Sequence, residues 1–226
     1  MTDLLFDEYY EKYNEILTKN QRILAPSGKG SYFAQHKVSI LKRILPLEPH
    51  TILEYGCGIG NNMGFILENF PNAAVWGCDT SQKSLEVAGK RYPQVRFFPV
   101  LGEELVQYDC VLVWDVVHHI AREKRAYYLE RIAKFIRPGG YCLFFEHNPY
   151  NPVTKRFVST CVFDALAELI SLRNLRDIAE AAGLEVRAAG YCCFFPEFLQ
   201  FLNRLEGALT WLPLGGKYYI LAVRAG

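Results

Sequence analysis

The stretch Thr51-Ile52-Leu53-Glu54-Tyr55-Gly56-Cys57-Gly58-Ile59-Gly60-Asn61 limits what this chain can fold into more than any other. A short apolar run, Ile52-Leu53, reads as the end of a buried strand, and three glycines come after it at alternate positions. From Asn62 to Phe70 the pattern turns helical, with Met63, Ile66, Leu67 and Phe70 on one face. Strand, glycine turn and helix together aim backbone N–H groups and a helix N-terminus at a ligand. A Cβ in such a turn would block the ligand and forbid positive φ. The dinucleotide fingerprint asks for its third glycine at position 61, where this chain carries Asn61, and it has no place for Glu54. An NAD-dependent oxidoreductase is therefore the weaker reading.

Glu-x-Gly-x-Gly-x-Gly after a strand resembles motif I of the class I S-adenosylmethionine (SAM) methyltransferases. The resemblance implies that Glu54, Gly56, Cys57, Gly58 and Gly60 wrap the amino-acid end of the cofactor SAM. The next acidic strand end lies at a fitting distance. A second strand over 73–79 ends in Asp79, 19 residues beyond Gly60. An acidic side chain about 20 residues on accepts hydrogen bonds from ribose hydroxyls. Thr80 or Ser81 then caps a helix running to Tyr92. After the third strand, 95–100, members of the family often place an Asp against the adenine. Here Val100-Leu101 falls in that slot, with Gly102-Glu103-Glu104 beyond it. Backbone and apolar contacts at Leu101 and Gly102, or else Glu103, are left to hold the base.

With 226 residues, 50% of them hydrophobic, the chain can fill one sizeable core. Residues 1–45 read as two helices, 4–24 and from Ser31 to Leu45, around the loop Pro26-Ser27-Gly28-Lys29-Gly30. They either pack over a sheet edge or form a lid, to which Tyr9, Tyr10 and Tyr13 would bring stacking area and hydroxyls. Residues 46–226 form the methyltransferase domain. A fourth strand over 108–115 leads to a helix at 122–137, stopped by Arg137-Pro138-Gly139-Gly140. The fifth strand runs from Tyr141 to Glu146, with helices after it at 154–160 and 173–182. Two last strands, 184–195 and 217–224, flank an aperiodic segment read as helix plus loop. Alternating strands and helices predict an α/β, doubly wound, mostly parallel sheet. The resemblance implies seven strands, Rossmann-like, the last inserted antiparallel.

Ligands in such sheets bind at the carboxyl ends of the strands. Glu54, Asp79, Asp115, His118, His119 and His147 all fall there, and Asp115 is counted with the cofactor ligands. Histidine suits proton removal because its pKa lies near working pH. His118 is favoured over His119 as the base, and His147 is a second base or an acceptor ligand. No metal is expected, because no carboxylate–histidine helix spacing supports one.

The run Glu146-His147-Asn148-Pro149-Tyr150-Asn151-Pro152 with Cys161-Val162-Phe163-Asp164 is similar to a methyltransferase subgroup of surface-glycan and natural-product pathways. Asn148-Pro149-Tyr150 also resembles the Asn-Pro-Pro-Tyr motif of nucleic-acid amino methyltransferases, but it comes after the fifth strand and not the fourth. With a net charge of +1 and no block of like charges, no nucleic-acid partner is expected. The expected acceptor is a small molecule methylated at oxygen, with a non-catalytic SAM-binding module as the alternative. No apolar run reaches the roughly 18 residues of a membrane span, and Met1-Thr2-Asp3-Leu4 lacks the makings of a signal peptide. Seven cysteines without a Cys-x-x-Cys pair read as free thiols in the cytoplasm.

Overall fold

The computed structural model describes residues 25, 31–100 and 106–226. The expected helix at 4–24, the Pro26–Gly30 loop and the adenine-side residues Leu101, Gly102 and Glu103 lie outside the described residues. The strands are β1 (Thr51–Tyr55), β2 (Ala74–Asp79), β3 (Arg96–Pro99), β4 (Tyr108–Trp114), β5 (Ile136–His147), β6 (Leu184–Cys192) and β7 (Lys217–Arg224). They form one sheet in the order β3-β2-β1-β4-β5-β7-β6. The first five are parallel, and β7 runs antiparallel between β5 and β6. That inserted strand separates the fold from the dinucleotide-binding order, in which the sixth strand simply lies next to the fifth.

The central strands carry apolar runs, Cys110–Trp114 in β4 and Cys142–Phe145 in β5, because both faces of the sheet are covered. Cys110, Leu112 and Trp114 of β4 face one core with Ile52 and Leu143, while Val111 and Val113 face the other with Leu53 and Phe144. The first face is covered by α1 (Ser31–Ile44), α2 (Met63–Asn69) and α3 (Gln82–Arg91). The second is covered by α4 (Arg125–Lys134) and α6 (Leu172–Ala181). Helix α5 (Pro152–Thr160) comes after β5, and α7 (Glu206–Leu209) precedes β7. Val38, Ile40 and Leu41 of α1 are buried in the sheet core, so this part of the expected cap is a fixed layer of the domain.

Local chemistry sets the helix starts. Ser81 accepts from Ser84 N at 3.1 Å at the head of α3. Asn151 accepts from Thr154 N at 3.0 Å ahead of α5, which has Pro152 in its first turn.

One boundary departs from expectation. The helix expected over 122–137 is a 3-10 turn, Arg122–Lys124, continued by α4, and it ends at Lys134. Strand β5 then starts at Ile136 rather than Tyr141 and carries Pro138-Gly139-Gly140 within it as an irregularity. Phe135 and Ile136 are buried, and this pulls the chain into the sheet early. Gly139, at φ 73, takes the turn, while Pro138, which lacks a donor, is tolerated at a bulge. Strand β6 also stops at Cys192, short of the expected 195, where Cys193 adopts φ 58.

Candidate functional site

A cleft of about 1340 Å³ crosses the carboxyl ends of β1, β2, β4 and β5. Its two sides are built differently.

On the first side, β1 runs into a turn with Gly56 at φ 75, Gly58 at φ 51 and Gly60 at φ 77. A Cβ on Gly56 would collide with Val116 Cγ2, so this glycine lets the turn lie against the end of β4. A Cβ on Gly58 would meet nothing within 4 Å, which leaves an open cradle of backbone. Asp79 ties the turn to β2: its Oδ2 accepts from Gly58 N at 2.8 Å, and its Oδ1 accepts from Ser81 N at 2.9 Å. Arg91 braces the far side by donating to Ile59 O and Asn61 Oδ1. Thus Asn61, which stands in the dinucleotide fingerprint's third glycine position, is a structural anchor here.

Glu54 is buried and its Oε1 accepts from Asn62 Nδ2 at 2.6 Å, while its Oε2 has no hydrogen-bond partner. Burial pushes its pKa up to about 7 against the pull of Asn62 and Lys37. Cys57 is also buried, and burial lifts its thiol well above the ordinary range. Gly56, Cys57, Gly58, Asp79, Thr80 and Asp115 line the cleft together. Glu54 and Gly60 are not among the lining residues; the open cradle at Gly58 with a carboxylate at the next strand end, preceded by the orphaned Glu54 oxygen in β1, fits the amino and ribose ends of SAM.

The second side is made of side chains. Asp115 comes after β4 at φ 60, and its carboxylate pairs with Lys37 of α1 at 3.1 Å and with Lys217, the first residue of β7. Burial alone would raise its pKa, but the two ammonium groups outweigh burial and hold it well below the carboxylate range. A 3-10 turn, Val117–His119, comes next. Glu146 on β5 organises this turn: its Oε1 accepts from Val117 N at 2.6 Å and Val116 N at 3.1 Å, and its Oε2 meets His118 Nδ1 at 2.5 Å.

His118 is 1% exposed, and its Nε2 faces Asp164 Oδ1 at 3.5 Å. Burial lowers the pKa of this imidazole, but Glu146 and Asp164 override burial and carry it up to about 10. His119 faces the same Asp164 oxygen at 3.6 Å, and burial beside the His118 charge drops its pKa to about 3. The His147 Nδ1 lies 3.4 Å from the Lys217 ammonium, and burial with that charge keeps the ring well below the usual histidine range.

The structure gathers all three sequence-predicted histidines in one part of the cleft. Two carboxylates facing one ring favour its protonated form, which has no free lone pair to take a proton. Lys37, Lys217, Glu146 and Asp164 had no assigned role in the sequence. A charged residue opening an apolar strand, as Lys217 does, was the available signal. Asn148 has a structural role: buried in the fold, it donates to Pro213 O and Gly215 O and pins the segment before β7.

The glycine cradle, the acidic strand end and the antiparallel β7 agree with comparison to known proteins. A family model described as a methyltransferase domain matches residues 21–189. This chain belongs to the class I SAM-dependent methyltransferases. Among solved structures, a SAM-dependent methyltransferase of Thermotoga maritima, described as a possible histamine N-methyltransferase, superposes with a TM-score of 0.68 at 16% identity. It covers 99% of this chain and 100% of that one. A Haloferax volcanii complex of the Trm112 activator with a putative methyltransferase gives 0.67 at 16% identity, with 98% of each chain covered. At such identity these show the fold.

Among curated relatives, the tRNA N(3)-methylcytidine methyltransferase trm141 of Schizosaccharomyces pombe is 30% identical over 126 residues, 50% of each chain. The tRNA N(3)-methylcytidine methyltransferase Mettl2 of Drosophila melanogaster is 27% identical over 163 residues, 62% of this chain and 50% of its own. A trans-aconitate 2-methyltransferase of Acidovorax is 31% identical over 111 residues, 46% of this chain and 40% of its own. This methyltransferase spans about half the length of the tRNA-modifying relatives it matches.

Those tRNA-modifying relatives correct two expectations: a small-molecule acceptor methylated at oxygen, and no nucleic-acid partner. Net charge is a sum over the whole surface and says nothing of how the charges are distributed on it. Among the described residues no helix is long and apolar enough to cross a membrane, and all seven cysteines are free thiols.

Proposed function

We propose that this methyltransferase transfers its methyl group to a ring nitrogen of a nucleobase carried in RNA. One observation carries the reading: His118, the best-placed imidazole on the acceptor side, is engaged at both ring nitrogens by Glu146 and Asp164. A hydroxyl acceptor must lose its proton as the new bond forms, which calls for a free base. A pyridine-like ring nitrogen attacks through an in-plane lone pair and has no proton to lose. The residues then need chiefly to hold the acceptor in line.

When bound, SAM supplies an electrophilic methyl group on a sulfonium. The chain's own residues bind and orient. Asp79 and the Gly58 cradle fix the cofactor side. Phe157 lines the acceptor side, is half-buried and offers an aromatic face on which a base can stack and its cationic product can rest. Lys124 lines the cleft, and exposed Arg122, Lys155 and Arg156 lie within two residues of the lining residues Lys124, Thr154 and Phe157 in sequence. Such cations suit phosphate contacts despite the near-neutral total. The tRNA N(3)-methylcytidine relatives support the same acceptor class. The buried thiols fit a reducing compartment, and we place the enzyme in the cytoplasm.

The test is incubation of labelled SAM with unmodified total tRNA, then nuclease digestion and mass spectrometry of the nucleosides. Label in a base-methylated nucleoside is expected, and it should vanish with Gly58→Val. Methyl label that stays out of RNA while the protein still binds SAM would overturn the acceptor assignment.

A further inference from the structure

His118 and His119 are adjacent on one 3-10 turn, yet their rings lie 4.1 Å apart and both Nε2 atoms turn to the same oxygen of Asp164. The separations to that oxygen are 3.5 and 3.6 Å, and the three donor atoms all lie within 4.8 Å of one another. At 3.6 Å a nitrogen and an oxygen are too far apart for a proper hydrogen bond. They are close to the edge of a coordination tetrahedron, which is about 3.3–3.4 Å for bonds of roughly 2.0–2.1 Å.

The other nitrogen of His118 rests on Glu146 at 2.5 Å. A carboxylate on the far nitrogen is how a metal-binding imidazole is normally oriented. Three ligands from two separate segments thus meet at one point on the wall of the cleft, where all three are lining residues.

We propose that His118 Nε2, His119 Nε2 and Asp164 form a divalent metal site of the two-histidine, one-carboxylate kind, with Glu146 as its orienting partner. Nitrogen-rich donors select a borderline ion such as Zn²⁺ or Fe²⁺ over Mg²⁺ or Ca²⁺, which take oxygen ligands. On binding, the ion displaces the proton at His118 Nε2 to solvent, and the Nδ1 proton stays on the ring, where Nδ1–H donates to Glu146. Three protein ligands leave at least one position open toward the cleft, where an oxygen of the acceptor can enter. The site stands apart from the nucleobase reading: RNA labelling can fail while zinc still binds, and the reverse.

The experiment is calorimetric titration of chelator-treated protein with Zn²⁺ alone, with Mg²⁺ as a competitor. One equivalent should bind, Mg²⁺ should not compete, and His119→Ala and Asp164→Asn should each weaken binding by about tenfold or more. Both variants are checked for folding by circular dichroism. No zinc binding, or binding by folded variants within about threefold of the parent, would overturn the site. If a variant does not fold, X-ray absorption of the zinc-loaded parent protein decides. An imidazole and oxygen shell supports the site, and a shell of sulfur alone, from the seven thiols, refutes it.

Discussion

On the β1–β2 side of the cleft, the groups that would meet a ligand are mostly backbone, shaped by glycines and tied by Asp79 to the neighbouring strand. On the β4–β5 side they are side chains, each held by another: Asp115 by Lys37 and Lys217, and His118 by Glu146. The first side is drawn from a run of some 28 residues, about Glu54 to Ser81. The second joins residues 37, 115, 118, 146, 164 and 217. Backbone-built recognition tolerates neighbours of many kinds but no Cβ in the wrong place. Side-chain recognition tolerates backbone change but not the loss of one partner from a buried pair.

The sharpest way to break this contrast is His118→Ala. It takes the partner from Oε2 of Glu146, which is fully buried, and removing one partner of a buried pair costs about 3–5 kcal/mol. Urea unfolding should show that loss while calorimetry shows SAM affinity little changed. A stable variant with poor SAM binding would mean that the two sides are one unit.

Next in size is the pH dependence set by Glu54 on the opposite side. Its folded pKa, about 7, lies above the ordinary 4.5. Its contribution to stability is therefore full below 4.5 and is lost as pH rises through about 7. That span corresponds to no more than about 3 kcal/mol. Thermal unfolding of Glu54→Gln should lack this slope between pH 4.5 and 7. Saturating SAM should also flatten it in the parent protein if a cationic end of the cofactor meets Oε2. A slope that survives in Glu54→Gln assigns the titration elsewhere.

Gly58→Val comes third. Its Cβ fills the cradle, and SAM affinity should drop about a hundredfold, roughly 2.7 kcal/mol, while the positive φ costs the fold about 1–2 kcal/mol. Asp79→Ala ranks below it, with at least a tenfold loss, about 1.4 kcal/mol. Part of that loss comes from slackening the turn that Asp79 holds through Gly58 N. If Asp79→Ala binds SAM as tightly as its parent, the carboxylate is only a turn anchor. The smallest effect belongs to Lys37→Met. Lys217 still neutralises Asp115, so no buried charge is left unpaired, and both stability and SAM affinity should change little. A larger loss would show Lys37 to be the dominant partner.

The same contrast explains what was legible in the sequence. The glycine turn, Asp79 and the strand ends of β1, β2 and β4 could be read because local spacing fixes their geometry. So could the starting residue of β7, Lys217, although not its partner. The pairing of Lys217 with Asp115 spans 102 positions and leaves no periodic trace. Similarly, the sequence placed His118 at the right strand end but not its neighbours. Its chemistry is decided by Glu146 and Asp164, which reach it from two other segments. The early start of β5 was hidden for another reason: Pro138-Gly139-Gly140 reads as a terminator, and only the burial of Phe135 and Ile136 reveals a bulge.

The place of β7 in the sheet has a consequence for how the molecule comes into being. Because β7 lies between β5 and β6 yet is made after both, a ribosome releases those two strands before the one that joins them. Until Lys217–Arg224 emerges, the edge of β5, with Phe144 and Phe145 on it, has no partner in the sheet. An open apolar edge of that kind is where nascent chains associate wrongly. Lys217 also brings one of the two cations of Asp115, so the acceptor wall is completed only once β7 has been made. Slowing translation upstream of β7 should therefore raise the aggregated fraction more than slowing it downstream of β2, where the glycine turn already has its partners.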